Sequence, residues 1–211
     1  MATVGAGADP IEPSGTARAR HIVATAYAML NEQGLDSLTI RAVLDRTGLA
    51  RRAFYDCFAG KDDLMLAVFA STISMATETF RSQFASLATP LDRLRLVVTS
   101  IVGDPPEEIS ATRSHERRSA ALTIEHLRLA QARPDDLRAA LDPLVELLAE
   151  QIVHGIADGS VRSCPPQLTA RMIYNLASNT AHDGFLTHRT RDDRRAASAG
   201  VWEFCRRAIA A

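Results

Sequence analysis

From residue 16 onward, apolar residues recur every three or four positions, and nowhere do they alternate with polar ones as a half-buried strand requires. Ile22, Ala26, Met29 and Leu30 form one such stripe. Phe69, Ile73, Ala76, Phe80 and Phe84 form a second, and Leu137, Leu141, Leu144, Leu148 and Ile152 a third. This period predicts an all-α fold. Composition points the same way: the chain is 46% apolar but only 5% aromatic. Ala and Leu lose little on entering a helix, whereas strands favour aromatic and β-branched residues. At 211 residues there is length for one large domain, or for a small domain beside a medium one.

Punctuation divides the helical pattern into about nine to ten helices. Gly34 closes the first stripe, and Thr39 stands as an N-cap before Ile40. Thr47-Gly48 ends that short helix, and a third covers roughly Ala50 to Phe58. Lys61-Asp62-Asp63 opens a long helix, with acids suited to a helix N-terminus. Pro90 opens another that runs to about Val102, broken by Gly103-Asp104-Pro105-Pro106. One or two helices occupy residues 107–133. A long amphipathic helix spans 135–157 and ends at Gly159; Pro143 inside it implies a kink, or a start near Asp142. Two more follow, at about 167–187 and 192–210.

Charge restricts the function classes. The formal net charge is −1, so affinity for a polyanion has to come from local placement. Between Arg41 and Lys61 there are five basic residues and two acids, a local +3, and Lys61 is the one Lys of the chain. The three cysteines, Cys57, Cys164 and Cys205, are far apart and odd in number, which suggests reduced thiols rather than a disulfide framework or zinc site. Residues 1–15 have no basic start and no apolar core, unlike a signal peptide. The longest apolar run, Leu64 to Ala70, is too short to span a bilayer. A cytoplasmic protein with no cofactor, no metal and no membrane partner is expected.

Function concentrates in residues 17–66. Gly48 lies where a helix-turn-helix needs a small residue for its sharp turn. In the third helix Phe54 and Phe58 are about one turn apart and can anchor it, leaving Arg51, Arg52 and Tyr55 projecting outward. Arg at the start of such a helix suits bidentate reading of guanine edges in the major groove. The stretch TIRAVLDRTGLARRAFYDCFAGKDDLMLAVF carries a Gly-apolar-small turn at Gly48-Leu49-Ala50, Tyr55 late in the third helix, Phe58 three residues on, then Lys61-Asp62-Asp63-Leu64. With these motifs, residues 18–69 resemble the DNA-binding domain of the TetR family of transcriptional regulators. Ala50, Leu44 and Cys57 depart from residues frequent in that family.

The resemblance implies a homodimeric, ligand-responsive regulator, most simply a repressor, that binds palindromic double-stranded operator DNA. It places Tyr55 and Lys61 on phosphates and Arg51, Arg52 and Ala53 at base edges, with Thr39 and Arg41 beside them. It also implies a tail at 1–15, a helix-turn-helix domain at 16–62 and a ligand-binding and dimerisation domain at 63–211. Dimerisation through the last long helices makes Leu144, Leu148, Ile152, Met172 and Leu176 the interface candidates. A pocket for an unidentified small apolar ligand would draw on Met75, Thr79, Phe80, Ile101, His115, Thr123, His126 and Leu127. Two alternatives stand beside this reading. One is an all-helical metal-dependent hydrolase of the HD type, suggested by His154, His182-Asp183 and Asp192. The other is a regulator of the same family that has no small-molecule ligand.

Overall fold

The computed structural model describes residues 14–103, 113–187 and 190–211, with side chains described for 17–103, 121–187 and 190–211. The described residues form nine α-helices and no strand: α1 (Ser14–Gln33), α2 (Ile40–Thr47), α3 (Arg51–Tyr55), α4 (Lys61–Phe84), α5 (Pro90–Val102), α6 (Arg113–Ala132), α7 (Pro134–Asp158), α8 (Pro166–Leu186) and α9 (Arg191–Ile209). The all-α expectation therefore holds, and its boundaries fall within a few residues of the sequence signals. Most of the residues expected to form a tail lie outside the described residues.

Local chemistry explains the breaks. Thr39 accepts a hydrogen bond from the Ala42 N–H, as an N-cap does. Gly48 follows α2 with φ 67°, the left-handed conformation that a side chain disfavours, so the chain can turn sharply into α3. Ala50, at the N-cap of α3, makes no side-chain capping bond. Pro143 neither starts α7 nor ends it; the helix runs through from Pro134 to Asp158. A proline there removes one intrahelical N–H donor. The broad apolar face of the same helix, which includes Leu137, Leu141, Val145 and Leu148, holds it against the core.

Two packed units share α4. Around its start, α1, α2 and α3 enclose Ile22, Ala26, Leu30, Val43, Phe54 and Phe58. Further along, α4 packs on α7, which packs on α8 and α5, while α9 covers α5 and α8. At the end of α7, a Cβ on Gly155 would lie 2.4 Å from Cγ2 of Val161, so only glycine allows the chain to fold back there. Val161 then bridges to Ala210 and ties the C-terminal end of α9 to this corner.

Candidate nucleic-acid interface and regulatory core

Burial of Phe54 and Phe58 decides which way α3 points. Phe54 is fully enclosed and stacks at 5.6 Å on Phe58, so the opposite side of the helix is left to solvent. Arg51, Arg52 and Tyr55 are exposed there and Ala53 is half-buried beside them. The Arg51 guanidinium lies over the Tyr55 ring, 5.5 Å from its centroid. Its Nη2 also donates to the Tyr55 hydroxyl at 3.4 Å, so ring and hydroxyl together hold the long side chain.

Lys61, exposed at the first position of α4, lies on the same stretch of chain, and Arg41 is exposed on α2 with a loose 3.8 Å pair to Asp45. Thr39 is exposed, but its hydroxyl already caps α2. Arg46, one of the five basic residues of this segment, turns away: its guanidinium holds Glu32 of α1 at 2.6 and 2.7 Å. Four cations, Arg41, Arg51, Arg52 and Lys61, remain outward.

The first turn of α4 holds a feature the sequence did not announce. Asp62 and Asp63 follow Lys61 directly, and each meets an arginine from the far half of the molecule. Arg128 of α6 bonds Asp62 at 2.9 Å, and Arg133, at the junction of α6 and α7, bonds Asp63. The Arg133 guanidinium, together with the Ala59 N–H, holds the Asp63 carboxyl below the usual carboxylate range. The two acids beside Lys61 are thus neutralised from the larger C-terminal unit. A surface groove of about 450 Å³, lined by Cys57, Asp63, Leu66, Arg133 and Asp136 among others, runs along this junction.

The residues expected to line a ligand pocket are not all brought together. Phe80 is buried and Ile101, Thr123 and His126 are half-buried, but Met75, Thr79 and Leu127 are exposed. The Thr79 hydroxyl donates to the Met75 carbonyl of its own helix. The side chain of His115 lies outside the described residues. None of these residues lines either open depression found among the described residues, the junction groove or one of about 540 Å³ on α9 around Phe204.

A polar pair does sit inside the helices. His126 Nδ1 of α6 and His182 Nε2 of α8 are 2.9 Å apart, and the His126 ring stacks on Phe69 of α4 at 5.7 Å. His182 is buried, and its Nδ1 has no hydrogen-bond partner among the described residues; the buried Thr77 hydroxyl on α4 has none either. Burial first, then the neighbouring His182, pushes His126 down to about 4; burial also lowers His182. His182 had drawn notice only for its place before an aspartate. Its neighbour Asp183 is exposed, as are His154 and Asp192 on two other helices, and no three metal-ligating side chains gather among the described residues.

The interface candidates divide. Leu144, Leu148 and Ile152 point into the protomer's own core, Leu148 and Ile152 with no exposed surface at all. Apolar periodicity alone does not tell an inward face from an intersubunit one. Met172 is 61% exposed and Leu176 half-buried on α8, where Leu168 and Leu186 are also exposed; Val153 is exposed on α7.

Fold and surface together define a class: an all-helical protein whose small N-terminal helix-turn-helix unit is joined through one long helix to a larger helical unit. Residues 22–68 match the family model described as bacterial regulatory proteins, tetR family. The N-terminal helix-turn-helix unit is thus similar to the DNA-binding domain of that family. Solved structures share the fold. A putative TetR-family regulator from Rhodococcus sp. superimposes with a TM-score of 0.63 at 22% identity, covering 90% of this chain and 99% of that one. FadR from Bacillus subtilis, in complex with stearoyl-CoA, gives 0.65 at 18%, covering 88% and 96%. A putative regulator from Saccharomonospora viridis, in complex with choline, gives 0.66 at 16%, covering 93% and 99%. No curated protein matches the sequence. No helix among the described residues is long and apolar enough to cross a membrane.

Proposed function

We propose that the protein is a homodimeric repressor that binds palindromic operator DNA through α3 and the start of α4 and is released by a small apolar ligand. The observation that carries the DNA reading is the outward cluster of Arg41, Arg51, Arg52, Tyr55 and Lys61 on a chain of net charge −1. Arg51 and Arg52, in the first turn of α3, are placed to read base edges, and Tyr55 and Lys61 to hold phosphates. Lys61 at the N-terminus of α4 adds its ammonium to the free N–H groups of the first turn, a favourable pairing for phosphate. The ligand reading rests on the neighbours that hold stearoyl-CoA and choline, and on Phe80, Ile101, Thr123 and His126, which are buried or half-buried on α4, α5 and α6. The dimer reading rests on the exposed apolar side chains of α7 and α8, and a two-fold protein requires a two-fold site.

Selection of bound duplexes from random DNA tests this reading. It should return an inverted repeat, and a set of bound sequences with no shared half-site would overturn specific operator binding. On the selected operator, Lys61→Ala should weaken all sequences alike and flatten the logarithmic salt slope by about one. Arg51→Ala or Arg52→Ala should instead relax preference at one half-site position, at a cost of roughly 1–3 kcal/mol. An unchanged salt slope for Lys61→Ala would remove that residue from the phosphate contacts.

A further inference from the structure

The His126–His182 pair joins α6 to α8 inside the molecule; α6 also carries Arg128, and Arg133 stands just past its end, the two arginines that grip the start of α4. Two imidazoles whose nitrogens face each other at 2.9 Å can share one proton between them but not hold two. A second proton would set two N–H donors against each other where, among the described residues, no carboxylate bonds either ring. We propose that this pair is an acid-sensitive latch: on mild acidification the imidazoles separate, α6 shifts, and the operator-binding surface at the start of α4 loses its alignment. The inference rests on the DNA-binding reading given above.

The surroundings favour the latch over a buffered pair. On α6, Glu125 is buried and held by Arg128, and Arg128 also reaches Asp62. From α4 the facing group is the Phe69 ring, while the charged Asp62 and Asp63 are occupied by Arg128 and Arg133. On α8, Asp183 is exposed and Arg171 bonds Asp142 of α7. From α5, Arg93 is directed to the Leu87 carbonyl and Gln151. On α1 and α7, His21 and His154 are exposed, and on α9 the acids Asp192 and Asp193 are exposed at the helix start. Among the described residues the charge that acts on His126 is that of His182.

The sign follows from linkage. Closed, both rings are held neutral, with folded pKa values below the ordinary value near 6.5. The closed form therefore has its full advantage above about pH 6.5 and loses it as pH falls toward about 4. Opening His126 to water favours the open form by about tenfold between about pH 7.5 and pH 5.5, and opening His182 acts in the same direction. The movement is transmitted because Arg128 lies half a turn from His126 on α6, and Arg133 stands directly after that helix, at the junction with α7.

The test measures dissociation constants on the selected operator at pH 7.5 and 5.5, for wild type and for His126→Asn/His182→Gln, which keeps a hydrogen bond but cannot titrate. Wild type should weaken about tenfold or more on acidification while its far-UV helical signal persists; the double variant should weaken by less than about twofold. An equal acid response in both proteins would overturn the latch. In DNA-free protein, imidazole and α6 amide NMR signals should move together between pH 7 and 5. Signals of α6 that stay fixed while the rings titrate would also overturn it. Absence of operator binding at pH 7.5 would instead count against the DNA-binding reading, and the NMR titration would still decide the latch.

Discussion

Replacing Val153 and Met172 together by Glu should yield a helical, monomeric protein whose operator affinity falls roughly 10²–10⁴-fold, the range lost when two linked sites become independent. Both side chains are exposed on the single chain, one on α7 and one on α8, so the new charges cost the protomer little. Across a two-fold interface each carboxylate would face apolar surface, and with each substitution present twice the penalty doubles. Sedimentation checks the assembly state, circular dichroism the fold and operator titration the affinity. An intact dimer would place the interface elsewhere, with exposed Phe204 on α9 the next surface to alter.

Leu148→Glu should behave in the opposite way and leave no folded protein to assemble. Leu148 has no exposed surface and sits among Leu144, Val145 and Ile152 in the core. An isolated carboxylate there costs several kcal/mol after relaxation, and the lost packing of a large side chain adds roughly 2–5 kcal/mol. Total stabilities of about 5–15 kcal/mol leave little after such a loss. Thermal melting followed by circular dichroism should show no cooperative transition, or one lowered by tens of degrees. A folded monomer would mean instead that Leu148 faces a partner subunit.

These two substitutions also mark where the sequence can be read and where it cannot. Helix identity was legible because its signals are local: Thr39 caps α2, Gly48 turns the chain, and Pro90 opens α5. The outward side of α3 was legible too, since Phe54 and Phe58 lie one turn apart and only one side of a five-residue helix can be buried. On α7 the stripe misled, because more than one face is apolar: Leu144, Val145, Leu147, Leu148 and Ile152 are all buried, and the outer face keeps Glu146, Val153 and His154. Periodicity finds a face that avoids water without saying what covers it. Long-range polar partners were beyond reach for a related reason. Arg46 counted as a free cation until α1 brought Glu32 beside it, and nothing local to His126 announces His182.

The arginine clamps at the start of α4 divide affinity for a duplex in a way the domain boundary conceals. Asp62 and Asp63, left bare beside Lys61, would repel a phosphate there; Arg128 and Arg133 cancel that repulsion without approaching the DNA. If the protein binds DNA as proposed, part of its grip is encoded far along the chain. A genetic screen for alleles that no longer occupy an operator would gather substitutions at Arg128 and Arg133 alongside those in α3. The N-terminal unit excised on its own would be a more acidic object than the same residues within the full chain.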